Sequence, residues 1–194
     1  MAAQFVVGVD EAGRGPLAGP MAVGVVVAHK NFAIAELFPG VADSKVLSEK
    51  KREELYALLL KYTKQGLLRF TVIFVSPATI DRVGLTKATM RAVFRGVRKL
   101  APESDGHFIL LDGLLQAPKE YKQETIVRGD ATEPIISLAS IAAKVRRDRL
   151  MHRLAKKYPQ YGFEIHKGYG TKLHRKNIKK FGLSDVHRKS FVIS

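Results

Sequence analysis

The chain has 194 residues, of which 46% are hydrophobic and 26% charged, with no cysteine and a net charge of +15. These values predict one globular domain over residues 1–194, and they exclude a disordered chain, a disulfide framework and a thiolate metal site. Because no signal peptide, membrane-length apolar run or cysteine is present, we expect a cytoplasmic protein with no membrane partner.

Five apolar stretches predict β-strands. The first two, residues 5–10 and 21–28, are rich in valine and bounded by Gly and Pro, which is typical of buried strands. The third covers residues 67–76 and alternates in polarity, and the last two end at Asp112 and Asp130. These strands alternate with helical patterns, so the sequence predicts an α/β fold.

Four helical patterns accompany the strands. Ser48 is the predicted N-cap of the first, the second covers residues 86–100, the longest begins near Pro134, and the fourth covers residues 172–180. The positions predicted to be buried are Leu55, Leu58, Leu59 and Tyr62 in the first helix, Met90, Val93 and Val97 in the second, and Leu138, Ile141, Ala142 and Val145 in the longest. The positions of the second helix predicted to face outward are Arg91, Arg95 and Arg98.

Positive charge is concentrated towards the carboxyl terminus. Residues 144–194 contain 15 Lys and Arg against 3 Asp and Glu, a net of +12 out of the +15 of the chain. A one-sided basic surface of this kind attracts polyanions. Charge alone leaves two interpretations open, a solvated basic tail and the nucleic-acid groove of an enzyme.

Acidic residues follow several of the apolar stretches. The pair Asp10 and Glu11, then Asp112, then Asp130 each have a glycine within two or three residues. Strand ends are where ligand sites form in α/β sheets, although a single Asp there is often only a turn residue. Clustered carboxylates repel one another and oppose the binding of a polyanion unless a divalent cation joins them. Since Mg²⁺ and Mn²⁺ prefer carboxylate oxygens, the pattern predicts a nuclease-type metal site.

The residue pattern does not complete the set of ligands. Asp43 in ADSK and Asp148 in RRDR also lie near basic residues and compete with Asp130 as candidates. The glycine-rich stretch AGRGPLAG matches neither a dinucleotide-binding fingerprint nor a P-loop. It does offer backbone that a ligand can approach closely.

Two further polar sets lie in the carboxyl-terminal half. Ser137, Ser140 and Lys144 follow an i, i+3, i+7 spacing on the longest predicted helix, and we expect this stripe to face the site. Four of the six histidines also fall there, at His152, His166, His174 and His187. Their spacing matches no metal motif and no cysteine accompanies them, so they do not predict a zinc site.

Six motifs occur in order along the chain: VDEAGRGPLAGP, DSKVLS, LLDG, RGD followed by ASIAAKVRRDR, YGFEIHKGYGTKLH, and HRKSF. Together they resemble the motif set of ribonuclease HII, the type 2 ribonuclease H. The resemblance runs from about Val7 to Phe191. It implies a ribonuclease H-like fold, a central mixed sheet flanked by helices, with a small basic helical portion at about residues 160–194.

The resemblance also assigns individual residues. The catalytic, metal-binding acids that it implies are Asp10, Glu11, Asp112 and Asp130. The loop of Gly13, Arg14 and Gly15 is implied to contact the 2′-hydroxyl at an RNA-to-DNA junction. Tyr169 is implied to pack on the sugar of the next deoxynucleotide, and Lys45 to contact a phosphate.

The activity implied is an endonuclease that cuts the RNA strand of RNA·DNA hybrids and cuts 5′ to single ribonucleotides in duplex DNA. Two Mg²⁺ or Mn²⁺ ions would assist the hydrolysis, which leaves a 3′-hydroxyl and a 5′-phosphate. We expect a monomer. We also expect no sliding-clamp tail, because the chain ends three residues after Phe191. The alternatives are a related nuclease or strand-transferase without ribose preference, and a non-catalytic nucleic-acid-binding protein whose acids are turn residues.

Overall fold

The fold is built on a mixed β-sheet of five strands. It is seen in a computed structural model that describes residues 3–41 and 47–191. The strands are β1 Phe5–Ala12, β2 Met21–His29, β3 Leu68–Val75, β4 His107–Asp112 and β5 Lys122–Ile126. They lie in the order β3-β2-β1-β4-β5. The pairs β1–β2 and β2–β3 are antiparallel, whereas β1–β4 and β4–β5 are parallel.

Helices connect the strands and continue the chain after β5. They are α1 Ile34–Leu37, α2 Glu49–Lys64, α3 Pro77–Val83, α4 Leu85–Leu100, α5 Gly129–Thr132, α6 Pro134–Lys157, α7 Phe163–His166 and α8 Lys172–Phe181. The expected mixed sheet flanked by helices is therefore confirmed. None of the helices in residues 3–41 and 47–191 combines the length and apolar character needed to cross a membrane.

Both faces of the sheet are covered. Side chains alternate between the faces of a strand, so Val25 and Val27 of β2 pack with the α4 side while Val26 packs with α2 and α6 on the other. These side chains are almost completely buried, and each buried valine contributes roughly 1.5–3 kcal/mol to the free energy of unfolding. Burial on both faces explains why β2 is apolar throughout rather than alternating.

The longest helix, α6, lies almost in contact with the backbone of the sheet. A Cβ atom at Gly8 would be 2.3 Å from the carbonyl oxygen of Ile135, and one at Gly24 would be 2.1 Å from that of Ala139. Any side chain at either position would push the helix outward. Asp10 follows Gly8 by two residues on the same face of β1, so this close packing places the middle of α6 beside Asp10.

The carboxyl-terminal portion packs as a smaller cluster on the end of α6. Its core contains Leu17 and Ala18 of the β1–β2 connection together with Met151, Tyr161 and Phe163. Leu17 and Ala18 donate backbone hydrogen bonds to the carbonyl of Gly168, and Gly19 donates one to Val186. The segment between β1 and β2 is thereby joined to two later segments of the chain.

Most of the predicted elements are confirmed. Ser48 caps α2, its hydroxyl accepting a hydrogen bond from the backbone of Lys51, and Pro134 occupies the first turn of α6. The buried positions predicted for α6 are all buried, and those of α2 lie in or against the core. The three outward arginines of α4 are exposed.

Three predictions of local structure are wrong in detail. Strand β1 continues two residues past Asp10 to Ala12 because it pairs with β2 along its full length. Met90, expected to face inward, is 40% exposed, because α4 packs through small residues such as Ala92, about 200° of helical rotation away. The fifth strand ends at Ile126, so Asp130 lies in the one-turn helix α5 and not at a strand end.

Candidate active site

The acidic residues and the glycine-rich loop line one cleft of about 420 Å³ beside α6. Its walls include Asp10, Glu11, Gly13, Arg14, Gly15, Asp112, Asp130, Ser140, Lys144 and Tyr169. The fold therefore brings the four predicted acids, the predicted loop and Tyr169 together in one cleft. The predicted phosphate contact Lys45 and the competing candidate Asp43 lie outside the described residues.

Asp10 is the most deeply placed of the carboxylates on β1. It is 5% exposed, Ser140 of α6 stabilises its charged form, and its Oδ1 accepts a 2.7 Å hydrogen bond from the backbone of Glu11. Burial raises the pKa of Asp10 well above its usual range, and the charges of Glu11 and Asp112 add to the rise. The fold thus holds a carboxyl group where ionisation is costly.

Glu11 has one compensated oxygen and one buried oxygen without a partner. Its Oε1 lies 3.6 Å from Nε of Arg14, whose side chain is 44% exposed. Its Oε2 is buried and makes no hydrogen bond within the described residues. Burial raises the pKa of Glu11 in spite of the opposing charge of Arg14. A half-exposed arginine therefore offsets only part of the cost.

Asp112 and Asp130 are joined through the backbone. Asp112 ends β4, and its Oδ1 accepts a 3.2 Å hydrogen bond from the backbone N–H of Asp130. Arg128, with φ of +58°, turns the chain from β5 into α5. The hydroxyl of Ser137 then donates a 2.6 Å hydrogen bond to the carbonyl oxygen of Asp130, so α6 also fixes the position of this residue.

The donors in the cleft suit a hard divalent cation. All four acids offer oxygen atoms, which Mg²⁺ and Mn²⁺ prefer, and Oε2 of Glu11 is a buried acceptor that needs a positive partner. Among residues 3–41 and 47–191, no three His, Cys, Asp or Glu side chains already have a geometry that could hold a metal ion. The residues of the cleft therefore fit such an ion in their chemistry.

The polar residues of α6 that the sequence singled out do not all reach the cleft. Ser140 and Lys144 line the cleft as expected for the polar stripe, whereas Ser137 is fully buried behind it. The candidate Asp148 does not line the cleft but forms a 2.7 Å ion pair with Lys144. Arg52 of α2 also lines the cleft, and no motif pointed to it.

The glycine-rich loop is held from behind by a buried arginine that the sequence analysis missed. Arg188 is fully buried, and its guanidinium donates 2.6 Å hydrogen bonds to the carbonyl oxygens of Gly13 and Arg14 and a 3.1 Å bond to that of Gly19. The motif HRKSF contains this residue, but its partners lie far away in sequence.

A second buried arginine, Arg147, supports the same loop. Its Nε donates to the carbonyl oxygen of Pro20 and its Nη2 to that of Lys167, both at 2.9 Å. Burial lowers the pKa of Arg147, and burial together with the charge of Arg147 lowers the pKa of Arg188 to about 10. Both remain cationic at neutral pH. Arg147 continues the polar stripe of α6 at i+3 from Lys144, but this spacing gives no sign that its side chain is buried.

Tyr169 completes the rim of the cleft. Its side chain is 43% exposed, and its ring centroid lies 5.8 Å from the guanidinium carbon of Arg147. A Cβ atom at Gly15 would be 3.9 Å from Cε1 of the ring. The tyrosine and the glycine-rich loop therefore face the same space.

Solved structures that share this fold identify the class of protein to which the chain belongs. The fold is ribonuclease H-like: the ribonuclease H2 of Pyrococcus horikoshii OT3 superposes with a TM-score of 0.79 at 27% identity over 97% of this chain and 94% of that one. The Archaeoglobus fulgidus protein in a PCNA:RNase HII complex gives 0.78 at 25% identity, covering 97% and 95%. The Bst-RNase HIII structure with Mn²⁺ gives 0.78 at 17% identity, covering 99% of this chain and 68% of that chain.

The chain belongs to the ribonuclease HII family. The family model "Ribonuclease HII" matches residues 7–193. A ribonuclease HII of Coxiella burnetii is 45% identical over 96% of this chain and 88% of its own length, and one of Francisella tularensis is 41% identical over 96% and 95%. Membership in this family implies that the protein is an endoribonuclease, a hydrolase that acts on the RNA strand of RNA·DNA hybrids. The family depends on divalent metal ions.

The two glycines of the loop should differ in their tolerance of a side chain. Gly13 has φ of +85°, and a Cβ atom there would be 2.0 Å from Nε of Arg147, whereas a Cβ at Gly15 would make only ordinary contact. We expect Gly13→Ala to lower the free energy of unfolding by about 2 kcal/mol or more, and Gly15→Ala to change it by less than about 0.5 kcal/mol. Urea denaturation of both variants measures this difference. Equal stability would show that Arg147 does not constrain the loop.

Proposed function

We propose that this protein cuts the RNA strand of RNA·DNA hybrids and also cuts 5′ to a single ribonucleotide embedded in duplex DNA. The products are a 3′-hydroxyl and a 5′-phosphate. The observation that carries the proposal is that the four carboxylates, the glycine-rich loop and Tyr169 line a single cleft. In such a site the carboxylates would serve the hydrolysis of a phosphodiester, and the loop and Tyr169 would recognise the sugars beside it.

The metal ligands in this proposal are Asp10, Glu11, Asp112 and Asp130. Two divalent ions held by such a set can stabilise the attacking and leaving oxygens of a phosphodiester. The chain's own contribution is to place these acids. Ser140 lies beside Asp10 in the cleft, and the backbone of Asp130 orients Asp112. Arg14, Arg52 and Lys144 line the same cleft and supply positive charge for the phosphates of the substrate.

The 2′-hydroxyl is read in this proposal by backbone N–H groups of the glycine-rich loop. The carbonyl oxygens of Gly13 and Arg14 point to the buried guanidinium of Arg188. In a trans peptide the N–H points opposite to the C=O, so the N–H groups of Arg14 and Gly15 point away from Arg188. A pair of donors directed in this way can bind an oxygen that only a ribonucleotide carries.

Several expectations stay with the proposal. A single catalytic domain over residues 1–194, a monomeric state and a cytoplasmic location remain predictions, as does the phosphate contact of Lys45. A role without a sliding clamp also remains a prediction, although the A. fulgidus relative is in a complex with PCNA. Lys45 would contact the phosphate as a point charge.

The direct test uses a DNA duplex that contains one ribonucleotide, incubated with Mg²⁺ and with EDTA. We expect cleavage 5′ to the ribonucleotide in Mg²⁺ only, and no cleavage of the matched all-DNA duplex. Equal cutting of both duplexes would indicate a nuclease without ribose preference. Binding that is insensitive to EDTA, with no cutting, would indicate a nucleic-acid-binding protein without catalysis.

The acidic residues should be essential for turnover. We expect Asp10→Asn and Asp112→Asn each to lower kcat by at least about 100-fold, because each removes a metal ligand while keeping the size of the side chain. The matched control is Glu120→Gln, an exposed carboxylate paired with Arg98. Near-native turnover of either Asp variant in Mg²⁺ would show that the acids are not the metal site.

Ribose discrimination should depend more on Gly15 than on the Arg14 side chain. Gly15→Ala fits the free protein but adds a methyl group where the substrate approaches, so we expect kcat/KM on the single-ribonucleotide duplex to fall by roughly tenfold to 100-fold. Arg14→Ala removes no backbone group and should cost discrimination less. The measurement is kcat/KM for both variants on ribonucleotide-containing and all-DNA duplexes. A larger loss of discrimination in Arg14→Ala would assign the reading to the side chain.

Tyr169 should matter most where a deoxynucleotide follows the ribonucleotide. A ring packed on that sugar favours a deoxyribose, since an extra hydroxyl would crowd it. We expect Tyr169→Ala to lose kcat/KM mainly on the single-ribonucleotide duplex, and Tyr169→Phe, which keeps the ring, to lose much less. The comparison is made against a long RNA·DNA hybrid. Equal losses on both substrates would make Tyr169 a structural residue.

A further inference from the structure

Three buried histidines lie beneath Tyr169, and the proposed chemistry uses none of them. His174 is fully buried, His187 is 1% exposed and His166 is 7% exposed. They pack against Tyr161 and Phe163 in the carboxyl-terminal cluster. Buried imidazoles need defined hydrogen-bond partners, and the identity of these partners fixes where each proton lies.

His174 and His187 form a chain of hydrogen bonds with two fixed ends. At one end, Nδ1 of His187 lies 3.0 Å from the backbone nitrogen of Ser184, which can only donate. The Ser184 hydroxyl oxygen is 2.8 Å from the same Nδ1 atom, and its O–H can rotate to donate to it as well. At the other end, Nδ1 of His174 lies 2.9 Å from the carbonyl oxygen of Tyr169, which can only accept. Between them, the Nε2 atoms of the two rings are 3.1 Å apart.

These ends determine both tautomers. Nδ1 of His187 must be unprotonated to accept from Ser184, so its Nε2 carries the proton and donates to His174. Nε2 of His174 must then be unprotonated, so its Nδ1 carries the proton and donates to Tyr169. All bonds in the chain therefore run in one direction, from Ser184 to Tyr169, and an added proton on either ring would break it.

The third histidine, His166, holds Gly168, the residue before Tyr169, through its own hydrogen bonds. Nδ1 of His166 lies 3.2 Å from the backbone nitrogen of Gly168, and its Nε2 lies 2.8 Å from the carbonyl oxygen of Tyr161. The same reasoning gives His166 a proton on Nε2. His174 is thus the one member of these three that carries its proton on Nδ1.

The rings are neutral at physiological pH. Burial lowers the pKa of His174 to about 4, with a further contribution from the neighbouring His166 and His187. Burial also lowers the pKa of His187 and of His166, although Asp185 opposes the shift at His187 and Glu164 opposes it at His166. The neutral state that the chain of hydrogen bonds requires is therefore the one that the surroundings favour.

We propose that His174 and His187 are positioning residues that fix the backbone of Tyr169 and so hold its ring at the rim of the cleft. The proposal rests on the substrate role of Tyr169 given above. The next residue after His187 is Arg188, which holds the carbonyl groups of Gly13 and Arg14. The adjacent residues His187 and Arg188 therefore position Tyr169 and the glycine-rich loop, the two elements that read the sugars. They thereby fix the distance between these two elements.

The tautomers can be measured without any substrate. Long-range ¹H–¹⁵N spectra of the full chain at pH 7 distinguish Nδ1–H from Nε2–H imidazoles. We expect His174 as the Nδ1–H form and His187 and His166 as Nε2–H forms, with each resonance assigned by single-histidine variants. A charged His174 at pH 7, or a proton on its Nε2, would overturn the proposal whatever the activity of the enzyme.

A matched pair of variants tests the effect on Tyr169. In His174→Asn the side-chain amide occupies the place of Nδ1 and can still donate to the carbonyl of Tyr169, whereas in His174→Gln it occupies the place of Nε2. We expect kcat/KM on the single-ribonucleotide duplex to fall about tenfold in His174→Gln, the equivalent of one lost hydrogen bond, and by less than about threefold in His174→Asn. The exposed His29 supplies the control, His29→Asn.

A double-mutant cycle separates positioning from general stability. In a Tyr169→Ala background, His174→Gln should cause no further loss, because the ring that it positions is already absent. A tenfold further loss in that background would make His174 a structural residue and overturn the proposal. If Tyr169→Ala itself has no effect while the tautomers are as stated, the substrate role of Tyr169 fails, and the hydrogen-bond chain then positions a residue that the reaction does not use.

Discussion

The close contact between α6 and the sheet is the constraint on which the site depends. Only glycine at positions 8 and 24 allows the helix to lie against the backbone of β1 and β2. In this position α6 contacts the acids directly, because Ser140 contacts Asp10 and Ser137 binds the carbonyl of Asp130. Further along, Arg147 lies under the segment that contains the glycine-rich loop. One helix thus aligns the acidic part of the cleft with the part that faces the sugar.

Buried acidic groups and buried basic groups lie close together around the cleft. The carboxyl groups of Asp10 and Glu11 are buried enough to raise their pKa values, while two cationic guanidinium groups are buried behind the adjacent loop. Buried charges lower stability unless they are paired or hydrogen-bonded. Arg188 meets this demand with backbone carbonyls, and Arg147 meets it in part. Nη1 of Arg147 and Oε2 of Glu11 are both buried without a hydrogen-bond partner within the described residues. Only the carboxylate oxygen calls for a positive partner, so we infer that divalent cations supply the remaining compensation of the acids.

The sequence predicted the parts of the molecule that local patterns determine. Valine-rich strands, the Ser48 cap and the start of α6 at Pro134 follow from neighbouring residues, and the acids were found because charge at the end of an apolar stretch is unusual. Family resemblance was needed to choose Asp130, because Asp43 and Asp148 were competing candidates. The pattern before Asp130 indicated a strand end, whereas the structure has a helical turn there. The approach of Asp130 to Asp112 depends on the tertiary fold.

Local sequence patterns could not predict the contacts of the two arginines that support the glycine-rich loop. Arg188 bonds to Gly13 across 175 positions of the sequence, and Arg147 bonds to Pro20 across 127. No periodicity reports such contacts, and a basic residue in a basic segment is most simply read as exposed. One position of α4 was also wrong. Met90 was predicted to be buried with Val93 and Val97, but it is exposed, since close packing against the sheet selects small residues such as Ala92.

The central claim is that the fold keeps buried carboxylates in the cleft at a cost in stability that divalent cations offset. The most direct measurement is thermal unfolding of the wild type and Asp10→Asn at pH 7, each in EDTA and in Mg²⁺. We expect the variant to have the higher Tm in EDTA, since it removes a buried acid from a repelling cluster. We also expect Mg²⁺ to raise the Tm of the wild type more than that of the variant. A lower Tm for Asp10→Asn in EDTA, together with equal shifts in Mg²⁺, would contradict the central claim.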